Sequence, residues 1–521
     1  MKRIINYQAR ALGEKERDIP YVPARYVFSV LLTIFEILLI IGVVVALCYF
    51  VPYFYVCALL TQIGCALHLV ASDDSPDYKV PWLFFVLIFP IVGFMLYFLF
   101  YSRKLKGKFI RRLSNLSKNT YVNDDTDAFI KLQAENPQAY SHAKMICKLA
   151  DTHLFENTKQ EYFGSGEKFF ESMIEELKQA KKFIYMEYFI IEKGKLWNSI
   201  LSILVEKVKE GVEVKIVYDD IGCMTKLPGN YCKILKRYGI QAVHFSRLRG
   251  GADSEFNNRN HRKITIIDGK VAYTGGVNIA DEYINEVKLF GHWKDGGIRI
   301  EGKAVYEFTE LFTLDYGISV KKMPTYNDEL YPEMNVEAKG YVLPFGAGPK
   351  PIYNKSIAKS VIQNMLAVAT KYVYITTPYL IIDNDLCMSL ESAALRGVSV
   401  KIILPHIPDK KTVFFLSRSL YPRLINAGVE IFEYQNGFIH AKNYIVDGYY
   451  AMIGTINMDY RSLAHHFENG VWMYGTDSIK SAEEDFNLAL SDSLKMTPEM
   501  VAVGPIKKFY RAVLKIFAPL F

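Results

Sequence analysis

The chain has 521 residues, of which 50% are hydrophobic and 14% aromatic, with a mean hydropathy of +0.07 and a formal net charge of +7. This length allows two or three domains, and the hydropathy is too high for an ordinary soluble enzyme and too low for a protein built only of membrane helices. The positive charge suits an anionic lipid surface or a phosphate-bearing substrate and does not by itself exclude nucleic acid.

Three almost uncharged stretches occupy the first hundred residues. They cover residues 26–51, 53–72 and 83–101, and each is close to the ~20 residues that a helix needs to cross the hydrocarbon core. We therefore expect two or three transmembrane helices within residues 26–102. Buried helices of a soluble domain are the alternative, although apolar runs of this length are rare there.

The charges that flank these stretches predict their orientation. Seven basic residues between 103 and 118 follow the last stretch, whereas the link at 72–79 carries three aspartates and one lysine. The positive-inside rule places the link outside the cell and everything after residue 102 in the cytoplasm. The side of the N-terminal tail, residues 1–25, is left open, because the number of crossings before the link is not fixed.

From about residue 160 onward, helical and strand patterns alternate. A helical pattern at 168–182 and a strand pattern at 183–191 recur in the same order at 355–370 and 372–382. Strands that alternate with helices predict an α/β architecture with a mainly parallel sheet. The segment GVEVKIV in the first half also matches GVSVKII in the second, which indicates a large internal duplication.

Two copies of one motif occupy equivalent positions in the two halves. Residues 260–278 read NHRKITIIDGKVAYTGGVN and residues 439–457 read IHAKNYIVDGYYAMIGTIN. A lone histidine on a strand is most often a core residue, but chance does not repeat a motif in register, so we interpret the two copies as one functional site. The identical pairs, each 179 positions apart, are His261 and His440, Lys263 and Lys442, Asp268 and Asp447, Gly275 and Gly454, and Asn278 and Asn457.

The spacing within each copy predicts where its side chains point. A histidine and a lysine two residues apart on a strand project from the same face. Asp268 is seven residues from His261 and would not share that face, and the glycine after it predicts a hairpin turn. A turn role and a chemical role are equally compatible with the two aspartates.

Two imidazoles, two ammonium groups and two amides together form a phosphate site. The lysines and asparagines can neutralise the non-bridging oxygens, while one histidine attacks phosphorus and the other protonates the leaving alcohol. This set requires no metal and no cofactor. The seven cysteines are odd in number and include no C-x-x-C pair, so they favour neither a zinc site nor a disulfide framework.

These motifs resemble the phospholipase D superfamily, whose mark is two H-x-K-x-x-x-x-D motifs, and within it the bacterial cardiolipin synthases. The resemblance extends over roughly residues 80–521 and is carried mainly by 258–283, 436–470 and the apolar segment 81–100. It implies an α/β fold of two similar α/β/α lobes, related by a pseudo-two-fold duplication and preceded by transmembrane helices. We expect a tail at 1–25, membrane segments at 26–102, a basic juxtamembrane linker at 103–160, lobes at 161–335 and 336–500, and an amphipathic helix at 501–521.

The resemblance also implies a reaction through a phosphohistidine. One phosphatidylglycerol gives its phosphatidyl group to the enzyme, glycerol leaves, and the hydroxyl of a second phosphatidylglycerol attacks to give cardiolipin. In this scheme His261 is the nucleophile and His440 the acid and base, with Asp295 and Glu468 orienting the imidazoles. Asp295 departs from the family pattern Trp-Arg-Asp-Thr-His, because Lys294 and Gly296 flank it.

The expected partners are phosphatidylglycerol and anionic lipids of a bacterial cell membrane, with the catalytic domain on the cytoplasmic side of a multi-pass protein and without nucleic acid. A hydrolytic phospholipase D and a transferase that uses another alcohol share the same site and remain alternatives. The membrane segments argue against a nuclease, and the two complete motifs argue against a non-catalytic scaffold. The basic and apolar residues of 505–521 predict a helix that lies at the membrane interface or docks on the globular part.

Overall fold

The structure, a computed structural model, describes most of the chain. The N-terminal tail at 1–23 and most of the basic run, at 102–107 and 115–125, lie outside the described residues, so what the sequence predicts for them stays a prediction. The described residues are 24–72, 74–101, 108–114, 126–247, 258–353 and 356–518.

Apolar helices occupy the described residues before 101. Two of them are long and apolar enough to cross a membrane, over Val30–Leu47 and Tyr53–Ala71. The third apolar stretch is broken in two at Phe89, because Pro90 has no N–H and cannot continue a helix. The helices are α1 (Ala24–Phe50), α2 (Pro52–Ala71), α3 (Pro76–Ile88) and α4 (Pro90–Phe100).

Helices α3 and α4 fold back on each other as an antiparallel hairpin. The hydroxyl of Tyr78, near the start of α3, donates to the carbonyl of Tyr101, just after α4, at 2.9 Å. A side chain at Gly93 would overlap the backbone of Phe85, so glycine permits this close packing. With 13 and 11 residues the helices are about 20 and 16 Å long, less than the ~30 Å hydrocarbon core. Neither helix alone is therefore long enough to cross the hydrocarbon core, and two of the two or three expected membrane helices have the required length.

The link between α2 and α3 lies at the open end of this hairpin, on the globular part. Its Asp74 accepts a hydrogen bond from the hydroxyl of Tyr101 at 2.5 Å. Its Asp77 accepts one from the backbone N–H of Asn384, in the second lobe, at 2.9 Å. These contacts place the link between α2 and α3 against the second lobe.

Two helices within the segment expected to be a linker pack on the second lobe. The Oδ1 of Asn136 caps the second of them by accepting from the N–H groups of Gln138 and Ala139. Just after it, the hydroxyl of Thr152 donates to the carbonyl of Pro344 at 2.6 Å. Residues 126–150 therefore belong to the globular core. These two helices are α6 (Thr126–Glu135) and α7 (Pro137–Ala150), and the short helix α5 (Lys108–Ser114) precedes them.

The first lobe is a seven-stranded sheet between two apolar layers. Residues of the strand Phe183–Tyr188 alternate between the layers. Ile184 and Met186 pack with the helices Gly166–Gln179 and Lys195–Lys209, and the ring of Tyr185 stacks 4.7 Å from Phe312 on the opposite face. The elements are β1 (Lys159–Phe163), α8 (Gly166–Gln179), β2 (Phe183–Tyr188), α9 (Lys195–Lys209), β3 (Glu213–Asp219), α10 (Asp220–Cys223), α11 (Tyr231–Arg237), β4 (Gln241–Phe245), β5 (Lys263–Ile267), β6 (Val271–Gly275), β7 (His292–Lys294), β8 (Gly297–Glu301) and α12 (Val305–Val320).

The second lobe repeats this arrangement with one additional edge strand. Its C-terminal helix follows the last strand and packs on the same lobe. The elements are β9 (Tyr341–Ala347), α13 (Ile357–Val368), β10 (Tyr372–Thr376), β11 (Leu380–Ile381), α14 (Asn384–Leu395), β12 (Ser399–Pro405), α15 (Lys411–Ser417), α16 (Tyr421–Asn426), β13 (Glu430–Tyr434), β14 (Gly437–Ile439), β15 (Asn443–Val446), β16 (Tyr450–Gly454), β17 (Met458–Asp459), α17 (Tyr460–Ala464), β18 (Glu468–Tyr474), α18 (Ser478–Ser491), β19 (Ser493–Lys495) and α19 (Pro505–Ile516).

Strand order confirms the duplication and corrects the expected strand direction. The first sheet runs β1-β8-β6-β5-β2-β3-β4, and the second runs β9-β18-β16-β15-β10-β12-β13-β19. Only β2-β3-β4 and β10-β12-β13 are parallel, and the other pairings in both sheets are antiparallel. The expectation of mainly parallel sheets is wrong because the motif strands β5 and β15 turn back through hairpins.

The two lobes pair through short strands beside the motifs. Strand β7 of the first lobe pairs in parallel with β14 of the second, which ends immediately before His440. On the other side, Asn260 forms a bridge with Phe467, so that the residues before His261 and before Glu468 lie together. The fold thus places both motifs at the junction of the lobes.

Candidate active site

Each motif histidine begins a short extended segment that leads into a strand. Lys263, two residues after His261, is the first residue of β5, and its Nζ donates to the carbonyl oxygen of His261 at 2.7 Å. In the second copy the Nζ of Lys442 donates to the carbonyl of His440 in the same way. The spacing therefore brings each lysine beside its histidine, and all four side chains are buried at the lobe junction.

Each motif histidine is held by a carboxylate of the opposite lobe. The Nδ1 of His261 lies 3.0 Å from both carboxylate oxygens of Glu468, and the Nδ1 of His440 lies 2.7 Å from Oδ2 of Asp295. A carboxylate accepts only, so each Nδ1 carries the proton. The Nε2 of each neutral ring is then the free, basic nitrogen, which is the atom that nucleophilic attack or proton transfer requires.

Backbone contacts fix these crossed pairs. The N–H of His261 donates to the carbonyl of Phe467 at 2.9 Å, and the N–H of His440 donates to the carbonyl of Lys294 at 2.7 Å. The residue before each histidine is therefore paired with the residue before its carboxylate: Asn260 with Phe467, and Ile439 with Lys294. The unusual flanking residues of Asp295 do not prevent this arrangement.

Both imidazoles are neutral near pH 7. Burial, reinforced by the positive charges of Lys263 and Lys442, lowers the pKa of His261 well below its ordinary value. Burial and Lys442 lower the pKa of His440 to about 4, against an opposing contribution from Asp295. Each lysine acts on both histidines, so the four groups surround one space.

In the free protein, Lys263 and Lys442 lose their protons at a lower pH than exposed lysines do. Burial lowers the pKa of Lys263 to about 7 and that of Lys442 to about 8, although nearby carboxylates partly compensate. A phosphate placed between them would restore the charged form, because an anion beside an ammonium group favours protonation. The pair is therefore suited to bind an anion more strongly than it binds water.

The two histidines lie in different surroundings. The ring of His440 lies 5.4 Å from Trp293, 5.7 Å from Tyr283 and 5.8 Å from Phe438, so an aromatic wall surrounds it. The ring of His261 instead lies 5.2 Å from Phe189 and 5.5 Å from the imidazole of His466, and its immediate sequence neighbours are polar. The duplication gives two similar motifs, but their environments are not equivalent.

The polar residues around His261 form a buried network that sequence analysis missed. Arg262 is fully buried, and it donates to the backbone carbonyl of Glu468 at 3.0 Å and to Asp315 of α12 at 2.5 Å. Arg259 pairs with Asp219 at 2.9 Å, and Asp219 also accepts the N–H of Asn260. The run Asn-Arg-Asn-His-Arg was the available signal, since charged residues on both sides of a buried histidine need partners.

Glu468 is itself held by hydroxyl groups that the motif analysis did not include. Its Oε1 accepts from the hydroxyl of Ser462 at 2.7 Å, and its Oε2 accepts from Thr455. The ring of His466 lies 5.5 Å from His261, and the ligand atoms of His261, His466 and Glu468 fall within 4.8 Å of one another. These are donor types of a zinc site, but the oxygens of Glu468 already accept three hydrogen bonds, so we interpret the group as the anchor of His261.

The motif aspartates lie away from the histidines, which favours the turn role over the chemical role that the sequence also allowed. Asp268 sits in the β5–β6 turn with φ of 54°, roughly 20 Å along the chain from His261. Its carboxylate accepts the N–H groups of residues 181–183 at 2.7 to 3.0 Å. Asp447 repeats both features and accepts from residues 370–372. Each aspartate therefore fixes the start of the neighbouring strand.

The motif asparagines differ from each other. The amide of Asn278 is used within the first lobe: its Oδ1 accepts from the N–H of Ile190 at 3.0 Å and its Nδ2 donates to the hydroxyl of Tyr283 at 2.7 Å. It therefore positions the aromatic wall of His440, in contrast to the expected phosphate contact. Asn457 is buried in the second lobe, beside Ser462.

Gly276 shows why the motif ends in glycines. A side chain there would overlap Oδ1 of Asp295 and lie 2.8 Å from the carbonyl of His440. The glycine therefore allows one lobe to reach the other at the crossed pair.

Comparisons with known proteins agree with this geometry. Residues 173–288 and 362–489 match the family model described as cardiolipin synthase, PLD-like domain, and residues 62–100 match the model described as phospholipase D-nuclease N-terminal. The chain is 36% identical over 444 residues to cardiolipin synthase 2 of Bacillus anthracis, covering 83% of this chain and 84% of that protein. It is 33% identical over 476 residues to a cardiolipin synthase of Geobacillus sp., covering 88% and 93%.

A solved structure shares the fold. Phosphatidylserine synthase of Haemophilus influenzae superposes with a TM-score of 0.56 at 16% identity, over 74% of this chain and all of that one. This likeness supports the two-lobed architecture alone.

Proposed function

The chain belongs to the cardiolipin synthase family of phospholipase D-like enzymes, and on that premise we propose that it condenses two phosphatidylglycerol molecules into cardiolipin and glycerol through a phosphohistidine. The observation that carries the proposal is the crossed arrangement of the site. Two neutral imidazoles, each held at Nδ1 by a carboxylate of the other lobe, share a space with two ammonium groups.

In the first step, the Nε2 of His261 attacks the phosphorus of one phosphatidylglycerol. The bound phosphate is an anion and favours the protonated form of His440 beside it. The P–N bond forms as the P–O bond to glycerol breaks, and the leaving oxygen takes its proton from His440 in that form. Lys263 and Lys442 stabilise the negative charge on the non-bridging oxygens. Glu468 stabilises the positive charge that develops on the ring of His261.

In the second step, the now neutral His440 removes the proton from a hydroxyl of a second phosphatidylglycerol. That oxygen attacks phosphorus from the side that glycerol left, the P–N bond breaks, and His261 returns to its neutral form. Protons balance over the cycle, since the proton given to glycerol is recovered from the acceptor. Asp295 accepts a hydrogen bond from Nδ1 of His440, and it supports that ring both when it donates a proton and when it removes one.

The surroundings support these roles for the two histidines. Three cationic or basic neighbours, Lys263, Lys442 and His440, all act to lower the pKa of His261 after burial, which favours a neutral nucleophile. Asp295 opposes the lowering at His440, which makes that ring the better proton carrier. His261 is thus the proposed nucleophile, and the fate of labelled phosphate in each histidine variant tests this choice.

The membrane helices fit lipid substrates. Diacyl lipids remain in the bilayer, so a site that acts on them must lie near a leaflet surface. The link at the base of the helical hairpin contacts the second lobe through Asp77, which joins the two parts of the protein. We propose a multi-pass protein of the bacterial cell membrane with its lobes in the cytoplasm, where the basic run after the hairpin would favour anionic lipid.

Purified full-length protein in proteoliposomes tests the proposal. With phosphatidylglycerol as the only phospholipid, we expect equimolar cardiolipin and free glycerol. Phosphatidic acid as the main product would assign a hydrolase. A phosphatidyl ester of another alcohol, formed only when that alcohol is added, would assign a different acceptor.

A further inference from the structure

The C-terminal helix α19 exposes an apolar face beside the membrane helices. Its residues Ile506 and Phe509 are 86% and 73% exposed, and Tyr510, whose ring also stacks 5.8 Å from Phe415 of the lobe, is 50% exposed. They recur at helical spacing on one side, together with the partly exposed Val513. We propose that this face, together with the tip of the α3–α4 hairpin, docks on the anionic lipid leaflet and sets the position of the active site above it.

The opposite face of α19 is fixed on the second lobe. The guanidinium of Arg511 lies 4.5 Å over the ring of Phe415, in α15, and donates to the carbonyl of Val501 at 3.0 Å. Leu514 is buried in the same small apolar cluster. Because this face holds the helix in one rotation, the face with Ile506 and Phe509 cannot turn towards the lobe.

The exposed face is continuous with the membrane hairpin. The ring of Phe517, at the end of α19, lies 5.7 Å from the ring of Phe85 in α3. The nearby hairpin tip is also apolar and open, with Leu87, Ile88 and Phe89 each about half exposed. A surface that begins on a membrane helix and continues onto a helix of the globular part fits a lipid leaflet better than a protein partner.

The positive charge of α19 favours an anionic leaflet. Lys507, Lys508 and Lys515 lie along α19, and residues 505–518 contain no acidic residue. Lysines beside an apolar stripe place ammonium groups among lipid phosphates while the stripe enters the acyl region. The surface is therefore matched to anionic lipids, the class to which the proposed substrate belongs.

The docked helix is connected to the active site through α15. Lys410, immediately before α15, lies 5.3 Å over the ring of Tyr379, whose hydroxyl donates to Asp409 at 2.5 Å. The positive charge of Lys410 also contributes to the lowered pKa of His261. Lipid contact at α19 would thus set the height of this edge of the site. The effect of lipid contact on turnover rests on the proposed function, whereas the contact between α19 and lipid does not.

Photocrosslinking tests the contact without any assay of activity. The photoreactive residue p-benzoylphenylalanine is introduced for Phe509 in the full chain, in proteoliposomes of phosphatidylglycerol and phosphatidylethanolamine. We expect irradiation to add the mass of one phospholipid. The same residue in place of Tyr449, which is 57% exposed in the turn after Asp447, should give no lipid adduct. A crosslink from position 509 to a second copy of the chain, or no lipid adduct, would overturn the proposal.

Kinetics test the consequence. The double variant Ile506→Ser with Phe509→Ser should lose at least about tenfold in activity on vesicles and keep wild-type activity on a short-chain, monomeric phosphatidylglycerol. Leu395→Ser, at a residue 76% exposed, is the matched control and should change neither. Equal loss on both substrates, or no loss on vesicles, would contradict the role of α19. Wild-type protein inactive on both substrates would instead remove the proposed function and leave the crosslinking result standing.

Discussion

The Nδ1 of His261, in the first lobe, lies 3.0 Å from both carboxylate oxygens of Glu468, in the second. His440 and Asp295 repeat this relationship in the opposite direction at 2.7 Å. Neither lobe alone therefore holds its own histidine in a defined tautomer. The duplicated halves depend on each other for chemistry as well as for packing.

Glu468→Gln should lower kcat by about 10²- to 10⁴-fold, because an amide cannot stabilise the imidazolium and can stabilise the wrong tautomer. Asp295→Asn should have an effect of the same kind at His440. The test is steady-state kinetics on phosphatidylglycerol vesicles, with thermal unfolding to show that the fold persists. Glu430→Gln, at a surface pair with Lys495, is the control and should retain activity. A variant Glu468→Gln with wild-type kcat would show that the crossed pair is only structural.

The value of kcat/KM should fall as pH rises through about 7 to 8. In that range Lys263 and Lys442, whose pKa values are lowered to about 7 and about 8, lose the protons that bind phosphate. On the acid side, activity should fall only where the nucleophile His261 gains a proton, and burial keeps its pKa well below the ordinary value. Lys263→Arg keeps its charge, so the upper limb should move towards about pH 8. A pH profile that stays flat up to pH 9 would contradict these assignments.

Asp268→Ala should destabilise the fold by about 3 kcal/mol with little effect on chemistry, because its carboxylate accepts three backbone N–H groups far from the histidines. Asp447→Ala should behave alike. Denaturant unfolding measures the first effect, and kcat per folded molecule measures the second. A large fall in kcat with unchanged stability would restore the aspartates to the chemistry.

Variants of the two histidines should differ in whether the protein retains labelled phosphate. With phosphatidylglycerol labelled in its phosphate, His440→Asn should retain label on the protein, because the intermediate forms slowly but lacks the base that consumes it. His261→Asn should retain none, and neither variant should turn over. Label on a histidine should be lost in acid and retained in alkali, and peptide mapping assigns the labelled residue. The reverse pattern would exchange the two roles.

The sequence predicted the motifs because their chemistry is local. A histidine and a lysine two residues apart share a strand face wherever the strand lies, and the repeat at an interval of 179 residues identified the duplication. The Asp-Gly turn was predictable for the same reason, and both aspartates have the expected left-handed backbone.

The rest of the site depends on contacts between the lobes. No local pattern shows that Glu468 serves His261 or that Arg262 fixes the backbone of Glu468, since these residues are about 200 positions apart. The strand directions were misjudged because the motif hairpins reverse the chain within each sheet. Hydropathy records the length and composition of the apolar segment, whereas Pro90 and Gly93 decide where the chain turns back between α3 and α4.

A structure of the full chain with orthovanadate tests the central claim most directly, since vanadate adopts the geometry of phosphorus under attack. We expect one vanadium bonded to the Nε2 of His261, with the Nζ of Lys263 and of Lys442 and the Nε2 of His440 within hydrogen-bond distance of its oxygens. Vanadate bound to one lobe only, with the other motif's histidine and lysine out of reach, would contradict a single shared centre.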